Sequence, residues 1–125
     1  MIKAAVLDDY QNAFEHIIDI DKYKDKYEFK VFNEPFASEV EAGAALHEFD
    51  ALLIMRERTP ITRSLLEELP NLKYLMTSGM RNNAIDLEAT KAKSIFVCGT
   101  EINPNPTAEL AWTLILGLAR NFKQE

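Results

Sequence analysis

Five short apolar runs recur along this chain at an average spacing of about 25 residues, and each gap leaves room for a helix. The runs are Ile2 to Leu7, Phe29 to Phe32, Ala51 to Met55, Tyr74 to Met76 and Ile95 to Cys98. Predominantly apolar runs of this kind, interrupted only by Lys3 and Lys30, mark strands buried on both faces. Strand and helix in alternation predict an α/β domain on an open parallel five-stranded sheet, with helices on both faces. A chain of 125 residues and 14.3 kDa holds one such domain with its own core.

The gaps carry helix signals. Phe14, Ile17 and Ile18 lie at helical spacing in the first, and Lys22 to Lys26 closes it as a loop or second short helix. The second opens with Ser38-Glu39-Val40-Glu41, a capping box in which a hydroxyl accepts from a first-turn amide and a carboxylate reaches back. Thr62 is a good N-cap for Leu65, Leu66 and Leu69, which Pro70 ends. Asp86 caps a fourth helix to about Lys93, with Leu87 and Ala92 as inward candidates. A flavodoxin-like strand order, 2-1-3-4-5, is the common solution for five such units.

The last segment differs. After Asn103-Pro104-Asn105-Pro106 a helix is expected from about Thr107 to Phe122, with Leu110, Trp112, Leu114, Ile115, Leu116, Leu118 and Phe122 spread over every side. A helix apolar all round must be buried on more than one face. One face can lie on the sheet; the rest needs another domain or another chain. Exposing three such side chains costs on the order of 5 kcal/mol, comparable to the whole stability of a small domain.

Charge and cysteine usage exclude several classes. Fourteen Lys plus Arg against twenty Asp plus Glu give a net charge of −6, which opposes binding to nucleic acid or to a membrane surface. The longest apolar run, near Leu114 to Ala119, is well short of the roughly 20 residues that span a bilayer, and no signal-peptide pattern opens the chain. The single Cys98 allows no internal disulfide, which fits a reducing cytoplasm. With only two histidines, His16 and His47, on separate helices, no metal site is expected.

Open parallel sheets bind ligands at the carboxyl ends of their strands. Asp8-Asp9, after the first strand, is the acidic pair a phosphoacceptor receiver domain uses for magnesium, but Arg56 stands where the nucleophilic aspartate would follow the third strand. The pair then reads as a solvated loop. Arg56-Glu57-Arg58-Thr59-Pro60 and Thr77-Ser78-Gly79-Met80-Arg81-Asn82-Asn83 follow the third and fourth strands and would be neighbours. Gly79 permits positive φ, so the amides around Ser78, Gly79 and Met80 can cradle an anion, and guanidiniums suit a carboxylate or phosphate. The same residues also suit an ordinary turn with surface arginines. Cys98 lacks a histidine within reach and reads as a buried structural thiol. Glycines at 43, 79, 99 and 117 are too dispersed for a phosphate-binding fingerprint.

The ordered series Arg56 to Thr62, Leu65-Leu66, Leu72-Lys73-Tyr74, Ser78-Gly79 to Ile85-Asp86-Leu87, Phe96-Val97-Cys98 and Thr107-Ala108-Glu109-Leu110 to Arg120-Asn121 resembles the NAD-dependent D-isomer-specific 2-hydroxyacid dehydrogenases. The resemblance covers nearly the whole chain. It implies a flavodoxin-like substrate domain over residues 1–105, and a connecting helix over 106–125 that in such enzymes leads into a Rossmann domain. It implies that amides at Ser78, Gly79 and Met80 receive the carboxylate of a small 2-hydroxy or 2-oxo acid, with Arg56 and Arg58 near its distal group. Thr107 matches a position that approaches the cofactor. The family's dinucleotide fingerprint and catalytic Arg, Glu and His have no counterparts here, so no catalytic residue carries over and tight NAD binding is not expected. Arg81-Asn82-Asn83 departs from the family's commoner Gly-x-Gly-x-Asp loop.

The expected function is therefore that of an isolated or truncated substrate-binding domain, inactive alone. The alternative is an interaction module that homodimerises, or captures a separate nucleotide-binding partner, through helix 107–122.

Overall fold

The computed structural model describes residues 1–122. Its strands are β1 (Ile2–Leu7), β2 (Tyr27–Val31), β3 (Ala51–Ile54), β4 (Tyr74–Thr77) and β5 (Phe96–Gly99), all parallel, in the order β2-β1-β3-β4-β5. The expected sheet and its strand order are both found. Between the strands run α1 (Ala13–Ile17), a short 3-10 turn (Ile20–Lys22), α2 (Glu39–Leu46), α3 (Arg63–Glu67) and α4 (Leu87–Ala92). A last helix, α5, spans Asn105–Ala119.

The caps read from the sequence form as hydrogen bonds. Ser38 Oγ accepts the Glu41 amide at 3.2 Å, and Glu41 reaches back to the Ala37 amide at 2.7 Å. Thr62 Oγ1 accepts the Leu65 amide at 3.1 Å, and Asp86 Oδ1 accepts the Ala89 amide at 2.8 Å. The inward face of α4 is the exception. Ala89 and Thr90 are buried, whereas Leu87 and Ala92 are exposed: at 3.6 residues per turn the buried pair lies on the side of the helix opposite the apolar pair, so the side that packs is the one with the small Ala89 and the Thr90 hydroxyl bonded to the Leu87 carbonyl.

The sheet's two faces are covered unequally. Ala5, Leu52, Leu75 and Val97 stand in register across four strands and meet Leu46, Leu65, Leu66 and Ala89 from α2, α3 and α4. That is the core. On the opposite face a row of Phe29, Ala4, Ala51, Tyr74 and Phe96 lies beside a second row of Val6, Leu53, Met76 and Cys98. Here α1 covers only the β2 side, where Phe14 packs on Phe29 with ring centres 5.2 Å apart. Towards β5 the covering stops, leaving Phe96 63% exposed and a shallow cavity of about 370 Å³ bordered by Tyr74, Met76, Phe96 and Cys98. Cys98 is half-buried there rather than buried.

Helix α5 departs furthest from expectation. It begins two residues before Thr107, and none of its residues is buried, so no face of it lies on the sheet. Pro104, at φ −77° and ψ −15°, already turns the chain into the helical direction, and Asn103 Oδ1 accepts the Asn105 amide at 3.1 Å. The helix stops where Asn121 takes a left-handed conformation at φ 51° and the Phe122 amide returns to the Gly117 carbonyl at 3.0 Å. No helix among the described residues is long and apolar enough to cross a membrane.

Candidate functional site

At the carboxyl ends of β3, β4 and β5, three loops enclose an open cavity of about 600 Å³ bordered by Arg56, Arg58, Ser78, Gly79, Arg81 and Thr100. The strand order makes this inevitable: β3, β4 and β5 are consecutive in the sheet, so their exits lie side by side. Three guanidiniums border the cavity together with the carboxylates of Glu57 and Glu101. Glu57 is committed, since its Oε1 accepts the Asn83 amide at 2.9 Å. The balance facing the cavity is cationic.

Its walls are tied together by short polar contacts. Arg56 adopts a left-handed backbone at φ 54°, uncommon for a long side chain, and is held there from both sides. Its amide donates to Ser78 Oγ at 3.0 Å, and its carbonyl accepts from Asn82 Nδ2 at 2.6 Å. Asn82 Nδ2 also donates to the buried Thr77 hydroxyl at 2.9 Å, and Asn82 Oδ1 accepts the Ala84 amide at 2.9 Å. A bridge between Ile61 and Ile85 closes the base of the same two loops, with Ile61 donating to the Ala84 carbonyl at 2.7 Å.

Gly79 has φ 95°, the positive value anticipated for it. Its amide, however, donates to Thr100 Oγ1 at 3.0 Å, and the Ser78 amide donates to the Ile54 carbonyl at 3.1 Å. Two of the three amides expected to receive a carboxylate are thus engaged, because the parallel ladder runs one residue past β4 and the next donor meets the Thr100 hydroxyl. Among the described residues the amides of Met80, Arg81 and Asn82 have no protein acceptor, and these are the loop's available donors. The Met80 side chain borders a different depression, beside Val97 and Cys98.

Arg58 is partly committed. Its Nη1 donates to the Asp8 carbonyl at 2.8 Å, and its guanidinium lies 4.1 Å from the centre of the Tyr10 ring. Asp8 and Asp9 themselves are not a solvated loop. Asp9 is 2% exposed, and its two carboxylate oxygens accept the Ala13 and Phe14 amides at 2.9 and 2.8 Å, opening α1. Asp8, left-handed at φ 59°, accepts the Thr59 hydroxyl at 2.6 Å. The pair therefore anchors the loops after β1 and β3 to one another.

Thr107 lies exposed on α5 and does not border the cavity. Sequence reasoning named Asn82 and Gly99 without giving them a part in the loop, and did not single out Thr100, yet all three set the loop's shape. The strand order alone places Thr100 beside Ser78–Gly79, and that was the signal available. No group of three or more metal-ligating side chains forms among the described residues.

Comparison with known proteins gives a consistent picture. Residues 4–116 match the family model of the D-isomer specific 2-hydroxyacid dehydrogenase catalytic domain. A D-3-phosphoglycerate dehydrogenase of Methanocaldococcus jannaschii is 32% identical over 102 residues, covering 76% of this chain and 20% of that protein. One from Bacillus subtilis is 35% identical over 85 residues, covering 67% of this chain and 16% of its own length. The crystal structure of a phosphoglycerate oxidoreductase from Vibrio cholerae superposes with a TM-score of 0.82 at 38% identity, over 94% of this chain and 37% of that one. The chain thus spans about a fifth of the curated relatives it matches.

Proposed function

The chain belongs to the D-isomer specific 2-hydroxyacid dehydrogenase family, and on that premise we propose that it is the acid-holding part of such an enzyme. The observation that carries this reading is the cavity over β3 to β5, bordered by Arg56, Arg58 and Arg81, with the unbonded amide of Arg81 on the turn it shares with Met80 and Asn82, whose own unbonded amides belong to the adjoining depression. Consecutive free amides and guanidinium forks are the donors a carboxylate needs, and a small 2-hydroxy or 2-oxo acid presents one. The carboxylate takes the Met80–Asn82 amides. Arg56, and the guanidinium nitrogens of Arg58 not given to Asp8, face its distal group.

The family works with NAD, which when bound exchanges a hydride with the carbon bearing the hydroxyl or keto oxygen. The described residues do not fit a dinucleotide. Gly79 serves the loop's turn, Gly99 lies in close packing against it, and Thr107 faces no cavity. No step through NAD is assigned to this chain, whose contribution is binding and orientation of the acid.

Titration of isotopically labelled chain with oxalate, glyoxylate or hydroxypyruvate tests this reading by NMR. Saturable shifts are expected at the amides of Met80 to Asn82 and at Arg56, with chloride as the control. Shifts absent at tens of millimolar acid, or confined to other loops, would overturn it. The chain alone is expected to oxidise no NADH with these acids.

A further inference from the structure

The Tyr10 ring lies against the Arg58 guanidinium, its centre 4.1 Å from the guanidinium carbon, although the two residues belong to loops after different strands. Sheet order explains the meeting. β1 and β3 are neighbours, so the chain leaves Leu7 and Ile54 side by side. Among the described residues, Arg58 is the one guanidinium at the acid cavity whose side chain makes a hydrogen bond, from Nη1 to the Asp8 carbonyl at 2.8 Å.

The turn that carries Tyr10 is firmly mounted. The Asp9 amide donates to the Phe32 carbonyl at 3.1 Å, and the Asn12 amide closes the turn on the Asp9 carbonyl at 3.0 Å. Asn33 Nδ2 joins that carbonyl to Asn12 Oδ1, both at 2.8 Å. Asp9 caps α1 and the Asp8 carboxylate holds the Thr59 hydroxyl, so the turn and the loop of Arg58 are fixed to one another. A ring on such a frame is a firm wall for a long side chain.

We propose that Tyr10 is a positioning residue: its ring, together with the Asp8 carbonyl, holds the Arg58 fork at the acid cavity and so sets how tightly the distal end of the acid is gripped. This rests on the acid-holding reading and deepens it. Arg58 borders two spaces. One is the acid cavity; the other is a smaller hollow of about 190 Å³, where Glu39 offers a competing carboxylate. An unheld guanidinium divides its time between them and loses side-chain freedom when it meets a ligand. Held in place, it keeps Nε and Nη2 for the ligand, and little further ordering accompanies binding. Both tethers are neutral. A ring face and a backbone carbonyl attract the cation without cancelling its charge, as a carboxylate partner would, so the full charge stays with the site.

D-malate, which carries a second carboxylate, and glycolate, which carries none, separate this role from a structural one. By NMR titration the parent chain is expected to bind D-malate more tightly than glycolate. Tyr10→Leu is expected to weaken D-malate binding about two- to fivefold and to leave glycolate binding unchanged. Tyr10→Phe is expected to match the parent, because the ring face makes the contact. Should Tyr10→Leu not fold, Tyr10→Gln, equally ringless, takes its place with the same expectations. An equal loss for both acids would mark a merely structural role. That result, an undiminished D-malate affinity without the ring, or a parent that binds D-malate no more tightly than glycolate would each overturn this inference and leave the acid-holding reading standing. A parent chain that binds neither acid overturns both.

Discussion

Gly99 lies so close against Gly79 that a methyl group on Gly99 would overlap the Gly79 carbonyl oxygen and stand 3.0 Å from the Cα of Met80. The obstruction is backbone, which cannot swing aside as a flexible side chain can. The loop that presents the free amides is therefore shaped by a residue on the neighbouring strand.

Gly99→Ala is expected to push the Ser78–Met80 loop away from β5 and to lower stability by about 1–3 kcal/mol, the usual cost of overpacking. Thermal unfolding measures this as a fall of several degrees in Tm. An unchanged Tm would mean that the loop yields freely and is not held by this contact.

Arg58 and Arg81 border the same cavity but differ in what else they do. Arg58 is bound to the Asp8 carbonyl and stacked on Tyr10, whereas Arg81 forms no side-chain hydrogen bond or ion pair among the described residues. Arg58→Ala is expected to cost about 1 kcal/mol of stability. Arg81→Ala is expected to leave stability within about 0.5 kcal/mol, as exposed unpaired sites do, while weakening acid binding several-fold. Urea denaturation together with the NMR titration separates the two. Equal losses of stability would contradict the division of roles.

Asp50 joins three segments at the amino ends of the strands. Its Oδ2 accepts the Lys3 amide at 3.1 Å, its Oδ1 faces Lys73 Nζ at 3.2 Å, and its carbonyl accepts the Lys73 and Tyr74 amides at 2.8 and 3.1 Å. The Lys3 amide, and after it the Lys73 ammonium, hold the Asp50 carboxyl below the usual carboxylate range against the opposing effect of burial. A carboxyl depressed in the folded state adds stability that is present above about pH 4 and is lost as pH falls through its folded value. Asp50→Asn is expected to be less stable than the parent at pH 7, with the difference shrinking as pH falls towards 2. A difference constant across that interval would show that the charge has no part in it.

The fold was legible because burial on both faces is written directly into composition. Ala51 to Ile54 and Ala4 to Leu7 carry no polar residue, and no other structure hides such runs so economically in a chain of alternating elements. The edge was less clear. In β2, Glu28 and Lys30 alternate with Tyr27, Phe29 and Val31, so the apolar run starts later in sequence than the strand does in space. At the site, Arg56, Arg58, Ser78 and Gly79 were found from their positions after strands, which the fold alone supplies. The partners of individual amides were not legible. Whether the Gly79 amide is free depends on where the Thr100 hydroxyl on the neighbouring segment stands, which leaves no trace in local pattern. Asp8 and Asp9 misled for the same reason: two adjacent acids look solvent-facing until Ala13, Phe14, Thr59 and Arg58 are known to converge on them.

Thr100 is both the latch on the Gly79 amide and the first residue of the stalk that carries α5. Torque applied to the distant rod therefore has a short mechanical route, through four further residues and one hydroxyl, into the cradle above the sheet. Whatever grips the rod also has a hand on how tightly that cradle is set.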